Sequence, residues 1–217
     1  MRLALLHLSF LLSNPPSRGF FYNRLFSGPS RGSLVNYSMA SNNDDEPTQG
    51  SKLTDFYGAA TATMYAGMME EEMAKYKDDF SYICDMLRKE FVKDASDNPV
   101  HIRVLDTCCG SCHMLQYIDQ NLASDHAEIE LMGIDLSPEM IKVGRTIAPQ
   151  AKLKVGNMLN LSTESSESYH LILNNFAMHH ATPDQAKDSI QEYSQLLVPG
   201  GLLFFSAWEG TGKIDYG

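Results

Sequence analysis

From about residue 100 onward, hydrophobic and polar positions switch repeatedly between two periods. Short apolar runs at 102–105, 129–134, 153–155, 171–173 and 202–207 read as buried strands. Between them, apolar residues three and four apart predict helices: one over 113–122, one opened by Ser137 and Pro138, and one opened by Thr182 as N-cap with Pro183 at its first position. The last of these ends before Pro199-Gly200-Gly201. Upstream, Met69, Met73, Tyr76, Phe80, Ile83 and Leu87 recur at helical spacing and predict one amphipathic helix over 66–92, its apolar stripe facing a core and its outer face acidic. Strands separated by helices imply right-handed crossovers and a doubly wound, mostly parallel α/β sheet whose ligands bind outside the carboxyl ends of the strands.

The polar residues that interrupt the pattern fall at those ends. VLDTCCGSCHML (104–115) reads as a strand ending in Asp106, a tight small-residue loop and the start of a helix, which brings backbone N–H groups and a helix N-terminus to one crevice. MGIDLS (132–137) ends a second strand in Asp135, where a carboxylate accepts hydrogen bonds from both hydroxyls of a ribose. The bland reading of both residues is a turn or cap, since Asp is common in either.

The order of these segments resembles the class I S-adenosylmethionine-dependent methyltransferases of the type 11/25-like kind, whose first motif runs apolar-apolar-Asp-x-Gly-Cys-Gly-x-Gly. KVGNML (154–159), YHLILNNFAMHH (169–180) and LLVPGGLLFFSAW (196–208) resemble that family's third, fourth and fifth strand segments. The resemblance implies a Rossmann-like methyltransferase fold binding S-adenosylmethionine. It places Asp106 near the methionine amino end of the cofactor and Asp135 at its ribose, with Thr107, Cys108, Gly110 and Cys112 of the loop among the cofactor-binding residues. Leu136 and Met140 then pack on the adenine, and Asn157 and the Met158 backbone N–H meet its edge. Asn174, with Asn175, closes the fourth strand where a backbone carbonyl holds the cofactor's ammonium. His179 and His180 match the family's frequent His-His and are candidate catalytic residues, with a helix-entry pair packing on the sheet as the alternative. Tyr57 and Tyr65, in N-terminal helices that close over substrate in this family, are candidate substrate contacts. Two of the family's three glycines are replaced, by Cys108 and Cys112.

The sequence has 217 residues and a net charge of −10, enough for one full core, with no cluster of Lys and Arg to bind nucleic acid. A small-molecule acceptor suits it better. Cys109-Gly-Ser-Cys112-His113 also spells a haem-attachment pattern and a redox or metal half-site, but it follows a buried strand and no second cysteine pair completes a zinc set, so no metal is expected. Cysteines packed this closely suit a reducing compartment. The competing functions are a catalytically inactive methyltransferase-like binding or assembly module and, further off, an NAD-dependent oxidoreductase, for which the G-x-G-x-x-G fingerprint is missing.

Residues 1–43 carry Arg2, Arg18, Arg24 and Arg31 but no Asp or Glu. This asymmetry reads as a mitochondrial or other organelle transit peptide over 1–38; a secretory signal, or a cytoplasmic protein begun at Met39, are the alternatives. No integral membrane segment is expected, because the apolar run 3–12 falls short of the roughly 20 residues a spanning helix needs. A linker over 39–51, a helical cap over 52–97 and the cofactor domain over 98–217 complete the expected organisation. The family's last two strands, a hairpin covering strand five, are expected to be missing, so LLFFSAW is expected to be an exposed edge, either in a fragment or in a homodimer that covers it.

Overall fold

The computed structural model describes residues 3–4, 55–92, 99–122 and 126–208; apart from Leu3–Ala4, the targeting segment and linker expected over 1–51 lie outside them. Strand β1 (Leu3–Ala4) is followed by helices α1 (Ala59–Lys75) and α2 (Lys77–Leu87), then strand β2 (Val100–Asp106), helix α3 (His113–Leu122) and strand β3 (Ala127–Asp135). Helix α4 (Pro138–Ile147), strands β4 (Lys152–Val155) and β5 (Tyr169–Asn175), helix α5 (Pro183–Leu196) and strand β6 (Leu197–Trp208) complete the order. The sheet runs β1-β6-β5-β2-β3-β4. Its five long strands are parallel, and only β1 is antiparallel, meeting β6 at Trp208 and Ala207.

Alternation along each strand divides the core between the two faces of the sheet. Ile102 and Val104 of β2 and Leu171 and Leu173 of β5 join α2, α3 and α4 in one cluster, while Leu105 and Ile172 join Tyr193 and Leu196 of α5 in the other. Each fully buried aliphatic side chain of this kind contributes about 2 kcal/mol of transfer free energy. The N-caps lie where the sequence puts them. Ser137 Oγ accepts from Met140 N, and Thr182 forms a reciprocal capping box with Gln185.

Two expectations are corrected. The single helix expected over 66–92 is two helices with a π-helical turn after them, broken at Tyr76, whose φ of −104° and ψ of 13° leave the helical region. The break aims the Tyr76 ring at Phe176, 6.0 Å away between centroids. The core assignment of the stripe survives it, with Phe80, Ile83 and Leu87 buried and Met73 and Tyr76 packed against them. The last strand begins at Leu197 rather than after Pro199-Gly200-Gly201, because the chain bulges there. Tyr169 pairs with Leu197, yet Leu171 pairs with Leu202.

Candidate functional site

Strand β2 ends at Asp106 and strand β3 at Asp135, and the parallel register holds the two ends side by side, with Asp106 opposite Gly133. The loop 107–112 fills the space between them. Thr107 N donates to Leu173 O at 3.0 Å, continuing the ladder toward β5, and Cys109 N donates to Ile134 O at 2.9 Å, tying the loop to β3. Gly110 sits at φ +51°, a left-handed conformation in which glycine carries no Cβ penalty. Its N–H donates to Asp135 Oδ2 at 2.9 Å while Ser137 N donates to Oδ1 at 2.9 Å, so the loop and the start of α4 grip one carboxylate between them.

Both carboxylates are buried, Asp106 to 2% and Asp135 to 8% exposure. Burial pushes the Asp106 carboxyl up to about 7, with the Cys108 amide opposing and the Asp135 charge adding to the rise. Asp135 is raised by burial too, but its backbone donors hold the shift back. Asp106, with Cys108 N at 3.2 Å on Oδ1, is the less compensated charge of the two.

The three cysteines of the loop face different neighbours. Cys108 is half-buried and its thiol points at Asp135 Oδ2, 3.8 Å away, a weak donor to that carboxylate. Cys109 and Cys112 turn into the core, where Cys112 Sγ donates to Gly110 O at 3.7 Å; the neighbouring Cys112 thiol and burial push the Cys109 thiol well above its ordinary range. All four cysteines are free, and among the described residues no group of three His, Cys, Asp or Glu could hold a metal. His113 of the haem-like pattern turns its ring to Ser111 instead, Nδ1 to Oγ at 2.9 Å.

Cys112 stands where the family has its third glycine, and its φ of +66° is the conformation that glycine serves. An L-residue there carries roughly 1–2 kcal/mol of strain. Two glycines on neighbouring elements make room for the sulfurs. A Cβ on Gly133 would lie 2.8 Å from Cys109 Sγ, and one on Gly144 would lie 2.5 Å from Cys112 Sγ. Cys112 O then accepts from Gln116 N at 3.0 Å, the first hydrogen bond of α3.

The N-terminal helices cover this crevice. Tyr65 lies against the loop, its Cε1 3.3 Å from where a Cβ on Gly110 would stand. Burial raises its phenol, and Cys108, Tyr57 and both carboxylates add to the rise. Tyr57 spans the opening: its backbone O accepts from Ser137 Oγ at 2.7 Å, and its ring makes an edge contact with His180 at 6.5 Å. His179 and His180 follow β5 in a single 3-10 turn with ring centroids 3.9 Å apart. Burial lowers both imidazoles, His180 to about 4, so each is neutral near pH 7.

Leu136 is half-buried beside Asp135, and Met140 is buried one turn along α4. Asn157 is exposed and its Oδ1 accepts from Leu159 N at 2.9 Å, bracing its own turn. Asn174 is fully buried, and its Nδ2 donates to Thr107 Oγ1 at 2.9 Å and to Tyr193 OH at 3.4 Å. Tyr193 OH in turn donates to Met158 O at 3.0 Å. This tyrosine went unnoticed in the sequence, where its place in α5 marks it only as core-facing. The residues fit a nucleoside-bearing cation: a carboxylate at each of two adjacent strand ends, an apolar flank at Leu136 and Met140, and a buried Asn174 Oδ1 that has no hydrogen-bond partner among the described residues.

Residues 104–201 match the family model described as Methyltransferase domain. No curated protein matches the chain. Among solved structures it is similar to SAM-bound CalS10, an amino pentose methyltransferase from Micromonospora echinaspora, at 21% identity and TM-score 0.52, over 67% of this chain and 56% of that one. Streptomyces venezuelae DesVI is 19% identical with TM-score 0.52, over 68% and 57%. The DhpI–SAH complex is 14% identical with TM-score 0.53, over 72% and 68%. The chain thus spans about half to two thirds of these proteins' length, and likeness at this identity establishes a shared fold. Residues 104–201 thus match a methyltransferase domain, and the sheet order gives the described chain the Rossmann-like fold of these methyltransferases.

Proposed function

We propose that this protein is an S-adenosylmethionine-dependent methyltransferase acting on a small-molecule acceptor. The observation that carries the reading is the pair of buried carboxylates, Asp106 and Asp135, at the ends of adjacent parallel strands and joined by the loop 107–112. Asp135 would hold the ribose hydroxyls, which displace the weak Cys108 thiol rather than the two amides. Asp106 would face the ammonium, Leu136 and Met140 the adenine, and the Met158 amide its edge. Cys112, its sulfur accommodated by Gly144, leaves the loop able to serve.

S-adenosylmethionine supplies a methyl group already activated on a sulfonium, so the chain's task is to align a nucleophile and exclude water. Tyr57 and Tyr65 close the crevice, and the neutral His179 and His180 stand beside Tyr57 where an acceptor would enter. A His180 pKa of about 4 suits a hydrogen-bond acceptor that orients a hydroxyl or amine better than a store for its proton.

The second reading, a catalytically inactive binding or assembly module, is favoured by the packing of Tyr65 directly on Gly110. Calorimetric titration of the full chain with S-adenosylhomocysteine, with NAD and an Asp135→Ala variant as controls, separates the readings. Micromolar binding that the variant loses is expected. A folded wild type that ignores S-adenosylhomocysteine would leave the module, and binding of NAD alone would leave the oxidoreductase.

A further inference from the structure

We infer that Tyr193, a residue of α5 outside every motif singled out in the sequence, is a positioning residue that sets the adenine side of the cleft. Its side chain is fully buried at 0% exposure. Packing alone would be served by a phenylalanine, because a buried hydroxyl must find partners or weaken the fold. This hydroxyl finds them in the loops at the carboxyl ends of the strands. It donates to Met158 O at 3.0 Å, in the loop after β4, and accepts from Asn174 Nδ2 at 3.4 Å, at the end of β5. Asn174 Nδ2 also reaches Thr107 Oγ1 at 2.9 Å, in the loop after β2, and Met158 Sδ at 3.5 Å.

The direction of each bond is fixed by counting hydrogens. Thr107 spends its one hydroxyl hydrogen on Leu173 O at 3.0 Å, and Tyr193 spends its own on Met158 O. Both hydroxyls are therefore acceptors toward Asn174, which must present its amide nitrogen and leave Oδ1 without a donor. A turned amide would face two oxygens that have no hydrogen left to give. The chain thus leaves a buried oxygen without a protein donor among the described residues while the loops after β2 and β4 are locked to the end of β5, and Tyr193 is the member that holds the Met158 backbone carbonyl. The inference rests on the cofactor reading above, in which the Met158 segment meets adenine.

The test uses the full chain as wild type, Tyr193→Phe, Asn174→Ala and the double variant, each titrated with S-adenosylhomocysteine and with adenosine well below its thermal midpoint. Tyr193→Phe is expected to weaken both ligands by the same factor, about tenfold, the value of one lost hydrogen bond. The double variant should be at most about threefold worse than the worse single, as members of one network are not additive. A Tyr193→Phe protein with a lowered midpoint but wild-type affinities would show a merely structural role and overturn the assignment, as would loss of S-adenosylhomocysteine binding with adenosine binding intact. If Tyr193→Phe fails to fold, Asn174→Ala decides by the same measure. A wild type that binds neither ligand overturns the cofactor reading itself, an outcome distinct from the others.

Discussion

Cys112 Sγ stands 2.5 Å from the point at which a Cβ on Gly144 would lie, so the cysteine of the cofactor loop and the glycine of α4 share one volume. This explains how a side chain is accommodated where the family has a glycine. The sulfur is taken up in the core beside Gly144 of α4 instead of projecting at the ligand.

Gly144→Ala should therefore destabilise the fold by about 2 kcal/mol, the usual cost of forcing one methyl into a packed core, although alanine is the better helix former at an unconstrained site. Adding Cys112→Gly should recover most of the loss, since it vacates the contested volume and relieves a backbone at φ +66°. Urea titration of the two singles and the double checks it. Strictly additive effects would mean that the two residues do not compete for space.

Much of this frame was legible in the sequence because its signals are local. A Ser-Pro or Thr-Pro pair before a helical apolar pattern has few alternatives, and both pairs cap helices in the structure. The apolar runs ending in Asp106 and Asp135 likewise marked two strand ends. Signals that depend on tertiary partners were not legible. The break at Tyr76 answers to Phe176, a hundred residues later, and the early start of β6 depends on a bulge against β5. The directions of the loop cysteines depend on Gly133 and Gly144; a glycine on the apolar side of a predicted helix was the one clue, since glycine costs about 1 kcal/mol there unless close packing requires it. Tyr193 gave no sign of its hydroxyl's partners, which come from the loop after β4 and the end of β5.

Cofactor affinity should depend on pH through Asp106. Its carboxyl lies near 7 in the folded chain, chiefly because of burial, against about 3.9 for an unperturbed Asp. A ligand ammonium favours the ionised form, so binding near pH 6 must expel a proton that binding near pH 8 need not. The apparent association constant for S-adenosylhomocysteine should rise by up to tenfold per pH unit below about 7 and level off above it. Calorimetry in buffers of different ionisation enthalpy would count the released proton directly. The Asp106→Asn variant should bind more weakly and show no such slope; a slope of the same size in that variant would assign the proton to another group.

His180 should stay neutral across the physiological range. Its imidazole is lowered to about 4, mainly by burial and then by the adjacent His179, which is itself lowered by burial. An unfolded histidine titrates near 6.5, so as the pH falls below that value the unfolded chain takes up protons that the folded chain refuses. Stability associated with these two residues is therefore complete above about 6.5 and declines as the pH falls toward about 4, a sign opposite to that of Asp106, whose raised carboxyl favours the folded state at low pH. Proton–nitrogen correlation spectra should show the His180 ring neutral from about pH 8 to 5, through the range where an exposed histidine titrates. A His180→Gln variant should lose less stability than the wild type between about pH 6.5 and 5, measured by urea titration at each pH. A His180 midpoint near 6.5 would place the ring in solvent rather than between Tyr57 and His179, and would leave it free to act as a conventional general base.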